Sequence, residues 1–129
     1  MKLLSTATYL LAYASTLAAA EVTFVVSLKP LPGKADAAAR FLARTIDSFH
    51  QIKPRGQLEL FAFRNSDGRL VGVEKYTDEK AAIDWAISKT HVDALRPMVG
   101  LFDLLSVQIT TDASLDVKDL FSSSFEEVQ

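Results

Sequence analysis

The segment Gln57–Tyr76, QLELFAFRNSDGRLVGVEKY, decides the fold of this chain. Within Gln57–Arg64, Leu58, Leu60 and Ala62 alternate with Glu59, Phe61 and Phe63, so the pattern predicts a strand with an aromatic face of its own. Asn65-Ser66-Asp67-Gly68 follows, four turn-forming residues between two apolar runs, and Leu70–Tyr76 reads as the returning strand. These two strands are antiparallel neighbours, and every other element is placed relative to them.

Upstream of the hairpin, Glu21–Lys29 alternates around Val22, Phe24, Val26 and Leu28 and predicts a first strand, stopped by Pro30, Pro32 and Gly33. From Lys34 the apolar positions Ala38, Phe41, Leu42, Ile46, Phe49 and Ile52 recur at helical spacing until Pro54 and Gly56. Downstream, Thr77 is the expected cap of a second helix, with Asp78 and Glu79 in its first turn and a stripe of Ala82, Ile83, Ala86 and Ile87. Thr90 is the expected start of a short helical segment reaching Met98. Leu101–Thr111 alternates around Leu105, Val107 and Ile109 as a last strand, and residues 112–129 read as a polar tail in which Leu120, Phe121 and Phe125 could dock. The order is βαββαβ, an α+β ferredoxin-like sandwich. A four-stranded sheet with helices on one side leaves its other face bare, and large side chains there, Phe61 and Phe63 or their neighbours, call for sheet-to-sheet homodimerisation.

The division expected is a secretory signal over residues 1–20, one domain over 21–111 and the tail over 112–129. Lys2, the apolar run Leu3–Leu17 and the small residues Ala18-Ala19-Ala20 carry the signal reading; a retained N-terminal helix in an intracellular protein is the alternative. No stable membrane span is expected in the mature protein. With 14 basic against 16 acidic residues there is no positive field for nucleic acid. The absence of cysteine removes disulfides, thiolate nucleophiles and cysteine metal sites together. His50 and His91 are too far apart in sequence, among scattered acids, to define a metal site, and no glycine-rich cradle for a nucleotide cofactor appears. Any catalysis is therefore expected to need no cofactor.

Three segments carry a family resemblance: Val25–Lys34, VVSLKPLPGK; Val73–Ala82, VEKYTDEKAA; and Ser88–Leu95, SKTHVDAL. In this order and spacing, across residues 22–110, they resemble antibiotic biosynthesis monooxygenase domains, whose subunits pair as a dimeric α/β barrel. The resemblance implies a cofactor-independent monooxygenase acting on an aromatic polyketide-like or quinol substrate. An isomerase, cyclase or decarboxylase step on a similar compound, and a non-catalytic small-molecule binding protein, are the alternatives. In the oxygenases it resembles, a tryptophan followed six residues later by a polar ring residue lines the substrate cavity, and Trp85 with His91 has that spacing. Ala81 departs from the pattern, standing where those enzymes have an asparagine.

His91 lies on one helical face with Ala94, Leu95 and Met98 and should point inward, where burial keeps the imidazole neutral and able to accept a proton. A core histidine bonded to a backbone carbonyl is the competing reading. Trp85 lies off the stripe of its helix and is expected at a pocket mouth, over a dimer seam or simply on the surface. Glu74 and Tyr76 share a strand face and could offer a carboxylate and a phenol to substrate, with Phe61 and Phe63 supplying apolar lining. His50 is expected to be solvated or to cap the first helix.

Overall fold

The computed structural model describes residues 20–128; the signal-peptide reading of residues 1–20 lies almost wholly outside them. Strand β1 (Val22–Pro30) is followed by helix α1 (Ala35–Ile52), the hairpin β2 (Gln57–Arg64) and β3 (Leu70–Tyr76), helices α2 (Glu79–Ala86) and α3 (Lys89–Leu95), a 3₁₀ turn (Arg96–Gly100), β4 (Phe102–Thr111) and helix α4 (Leu115–Glu127). The sheet order is β2-β3-β1-β4 with every neighbour antiparallel. The hairpin turn closes as its residues dictate: Gly68 takes φ 86°, and the Asn65 and Asp67 carboxamide and carboxylate oxygens both accept from the Arg69 backbone N–H.

Strand register sorts the side chains into two faces. Phe24 is level with Glu74 and Glu74 with Leu60, while Val25 is level with Val73 and Val73 with Phe61. Val22, Phe24, Val26 and Leu28 are buried, so the face holding Glu74 and Tyr76 meets the helices and the face holding Phe61 and Phe63 is open. On the open face Arg69 crosses three strands. Its guanidinium donates to Ser27 Oγ at 2.6 Å, to Ser27 O at 3.0 Å and to Ser106 O at 2.8 Å.

Four expectations are corrected. The polar tail is α4, which Ser114 caps by accepting from Val117 N–H; Phe121 and Phe125 dock as expected, Phe121 stacking on Phe24 at a centroid distance of 4.0 Å, while Leu120 stays exposed. A spacing of four and then four more, Val117–Phe121–Phe125, gives this helix an apolar stripe to bury. Leu105 is 91% exposed instead of inward, because β4 carries extra residues opposite Leu28 and the pleat alternation slips there. Asp78 rather than Thr77 caps α2, its carboxylate accepting from Ala81 N–H at 2.8 Å, a charge-assisted bond that a hydroxyl one residue earlier cannot match. The cap of α3 is Ser88, not Thr90, with Ser88 Oγ accepting from His91 N–H.

Candidate functional site

The inner layer between sheet and helices holds the chemistry. The short helix α2 presents Ala82, Trp85 and Ala86 to the core, while Ile87, its C-cap residue, is exposed. The stripe thus runs one position away from the one expected. In a helix this short and rich in alanine, the indole's area sets the rotation, since it is by far the largest apolar surface to bury. Trp85 is 8% exposed and packs edge-on against Phe49 of α1 at 4.9 Å and His91 of α3 at 5.2 Å.

Where α2 ends, its last carbonyls lose their helical partners. Ser88 and His91 take them up. Ser88 Oγ donates to Trp85 O at 2.7 Å and accepts from His91 N–H at 3.2 Å, and His91 Nδ1 lies 3.0 Å from Ala86 O. A carbonyl only accepts, so this bond assigns the proton to Nδ1 and leaves the Nε2 lone pair free of it. His91 is 4% exposed, and burial lowers its pKa to about 4 against the opposing effect of the Ala86 bond. The imidazole is neutral near pH 7 and is an acceptor at Nε2. Beside it, Trp85 Nε1–H is buried without a partner among the described residues, an arrangement that costs on the order of 1–3 kcal/mol.

A cavity of about 570 Å³ opens against the indole, lined by Pro54, Arg55, Gly56, Thr77, Ala81 and Trp85 together with Asp78, Lys80 and Asp84. Gly56, at φ 80°, closes one side so tightly that an added Cβ would stand 2.6 Å from Ala81 Cβ and 2.7 Å from Thr77 Oγ1. His91 does not line this cavity; the ring it touches, Trp85, does.

Glu74 and Tyr76 share the inner face. Tyr76 Oη donates to Glu74 Oε1 at 2.5 Å and accepts from Gln57 Nε2 at 3.4 Å. Burial pushes Glu74 up to about 7 although the tyrosine bond lowers it, and raises Tyr76, with the Glu74 charge adding to that rise. Phe61 and Phe63 are not brought to this site: they stand on the opposite face of the sheet, 47% and 50% exposed, because odd positions of β2 point away from the helices. His50, expected to be solvated or capping, donates from Nε2 to Leu60 O at 2.8 Å and pins α1 to β2. Ser88, Phe49 and Gln57 were not foreseen as parts of the site. A serine three residues before His91 was a readable cap signal, whereas the contacts of Phe49 and Gln57 depend on the sheet and helix packing. Among the described residues no group of three or more acids and histidines is placed to hold a metal ion, and no helix is long and apolar enough to cross a membrane.

The element order, the antiparallel sheet and the inner-layer site define a ferredoxin-like α+β domain. No family model and no curated protein sequence matches the chain. Solved structures do. SnoaB from Streptomyces nogalater, a cofactor-independent oxygenase, superposes with a TM-score of 0.61 at 19% identity, over 74% of this chain and 94% of its own. Rv0793 from Mycobacterium tuberculosis gives 0.62 at 21%, over 75% and 97%. A Nitrosomonas europaea protein provisionally named an antibiotic biosynthesis monooxygenase gives 0.62 at 13%, over 74% and 90%. Within the ferredoxin-like class, the fold is therefore that of the antibiotic biosynthesis monooxygenase domains. At these identities the likeness is one of backbone, and fold alone does not fix a reaction.

Proposed function

We propose that this protein is a cofactor-independent oxygenase of electron-rich aromatic compounds, phenols, quinols or anthrone-like methylenes, with His91 as general base. One observation carries the reading: a neutral imidazole, its tautomer fixed by Ala86 O so that Nε2 is the acceptor, packs edge-on at 5.2 Å against the ring of Trp85, whose buried Nε1–H has no partner among the described residues. An acceptor and a donor so paired suit a substrate hydroxyl or enol, which gives its proton to one and accepts from the other. The anion left behind passes one electron to O₂, and the resulting radical and superoxide combine to a peroxide. Loss of water from a methylene peroxide leaves a carbonyl, so the substrate itself supplies every electron. Glu74 and Tyr76 supply a polar edge to the inner layer. Homodimerisation through the open sheet face, and export with loss of residues 1–20, belong to the same proposal.

His91 does not line the cavity, while Trp85, the ring it packs on, does, so the oxygenase reading requires a route from that cavity to Nε2. That geometry also favours a second reading, a small-molecule binding protein in which His91 is structural. Oxygen uptake with anthrone separates the two. The oxygenase reading expects uptake that falls by about 10²–10⁴ in His91→Ala, the usual worth of a general base. Uptake at the wild-type rate in that variant overturns the assignment, and anthrone binding with no uptake at all favours the binding protein.

A further inference from the structure

The charged groups around the Trp85 cavity are unequally committed. Lys80 Nζ is 2.6 Å from Asp84 Oδ2, so this pair neutralises itself. Asp78 spends its carboxylate on the α2 N-terminus through Ala81 N–H. Arg55 lies on the exposed α1–β2 loop, and no carboxylate of the described residues is within ion-pair distance of it. The apolar part of the lining comes from Pro54, Ala81 and Trp85.

We infer that this cavity selects planar aromatic compounds carrying a carboxylate, with the ring system against Trp85 and the carboxylate on the Arg55 guanidinium. A guanidinium offers a carboxylate two parallel N–H bonds, which a lysine point charge does not. A cavity of about 570 Å³ falls in the range that encloses a ligand of a few fused rings. The inference rests on the proposed aromatic substrate and narrows it to acids, with Arg55 as the residue that sets the preference. Its role is in binding, so its loss raises KM for the acid more than it lowers kcat.

Trp85 is the only tryptophan, so its indole N–H gives a single side-chain resonance, from a ring that lines this cavity and also packs on Phe49 and His91. The experiment titrates the full ¹⁵N-labelled protein with 2-naphthoate and, separately, with neutral 2-naphthamide, following that resonance. Naphthoate should bind about tenfold or more tightly than the amide, a step of about 1.4 kcal/mol. Arg55→Gln should bring the two within about twofold while both still move the indole signal. Equal affinities in the wild type, a preference that survives Arg55→Gln, or a signal moved by neither compound overturns the inference. Charge preference without oxygen uptake on any aromatic acid leaves this inference standing and sinks the oxygenase reading. Uptake on anthrone with no charge preference does the reverse.

Discussion

His91 and Glu74 are buried in the same inner layer, and their titrations pull stability in opposite directions. His91 is held near 4, below the 6.5 of an unfolded histidine, so between those values the unfolded chain binds a proton that the native one refuses. Its contribution is complete above 6.5 and is lost as pH falls toward 4. Glu74 is held near 7, above 4.5, so the native state keeps a proton that the unfolded chain has released. Its contribution is present below 4.5 and is lost as pH rises through 7. Over pH 4.5–6.5 the two slopes oppose, and the wild-type unfolding free energy should be nearly level. Glu74→Gln should expose the histidine, losing stability on acidification by up to about 1.4 kcal/mol per pH unit. His91→Phe should gain stability on acidification instead. Urea titrations at several pH values measure all three slopes, and variants that track the wild type would show that these two groups do not set the profile. At this scale the sequence was legible for His91, whose inward helical face was plain. It was not for Glu74, whose desolvation depends on what covers the strand, nor for which carbonyl, that of Ala86, fixes the His91 tautomer, whereas the Ser88 cap was readable from its spacing to His91.

At the scale of elements, the least expected is α4. Its sequence is mostly serine and acid, and only the four-residue recurrence of Val117, Phe121 and Phe125 announces a helix. What it packs against could not be read, because Phe24 is nearly a hundred residues away along the chain. Phe121 is 1% exposed and stacked on Phe24, and Ser114 Oγ donates to Glu79 Oε2, tying α4 to α2 beside the site. Phe121→Ala should cost about 3–5 kcal/mol by loss of buried area and the hole left behind. Leu115 on the same helix is 77% exposed, and Leu115→Ser should stay within about 0.5 kcal/mol. Equilibrium urea unfolding reads both, and a Phe121→Ala cost under about 1 kcal/mol would mean that α4 is an appendage and not part of the core. The hairpin β2–β3 lies at the other extreme, fully legible because its turn chemistry and alternation are local. The slip in β4 was illegible for the converse reason: Arg69, the residue before β3, reaches Ser106 O in the slipped stretch from across β1.

For the whole molecule, the order βαββαβ sufficed to place every strand, since short connections and one bare sheet face leave few alternatives. That bare face now has definite content. Val25 and Val73 lie level with Phe61 as an apolar strip across three strands, and Phe63 stands beside it over the buried Val71, with both rings about half exposed. Association along the sheet edges is the competing geometry, and the molecule hinders it at both. On β2, Leu60 O already accepts from His50. On β4, the bulge at Leu105 breaks the regular ladder another strand would need. Face-to-face pairing is left as the route that removes the aromatic strip from water, and a stable pair needs roughly 800 Å² from each partner, about what one side of a small sheet supplies. Phe61→Glu with Phe63→Glu puts two like charges per subunit into that contact, while neither ring belongs to the inner core. Sedimentation equilibrium at micromolar concentration should show a dimer for the wild type and a monomer for the double variant, with the near-ultraviolet circular dichroism of Trp85 retained. A double variant that remains dimeric would place the interface elsewhere, and a monomeric wild type would remove the dimer from the proposal altogether.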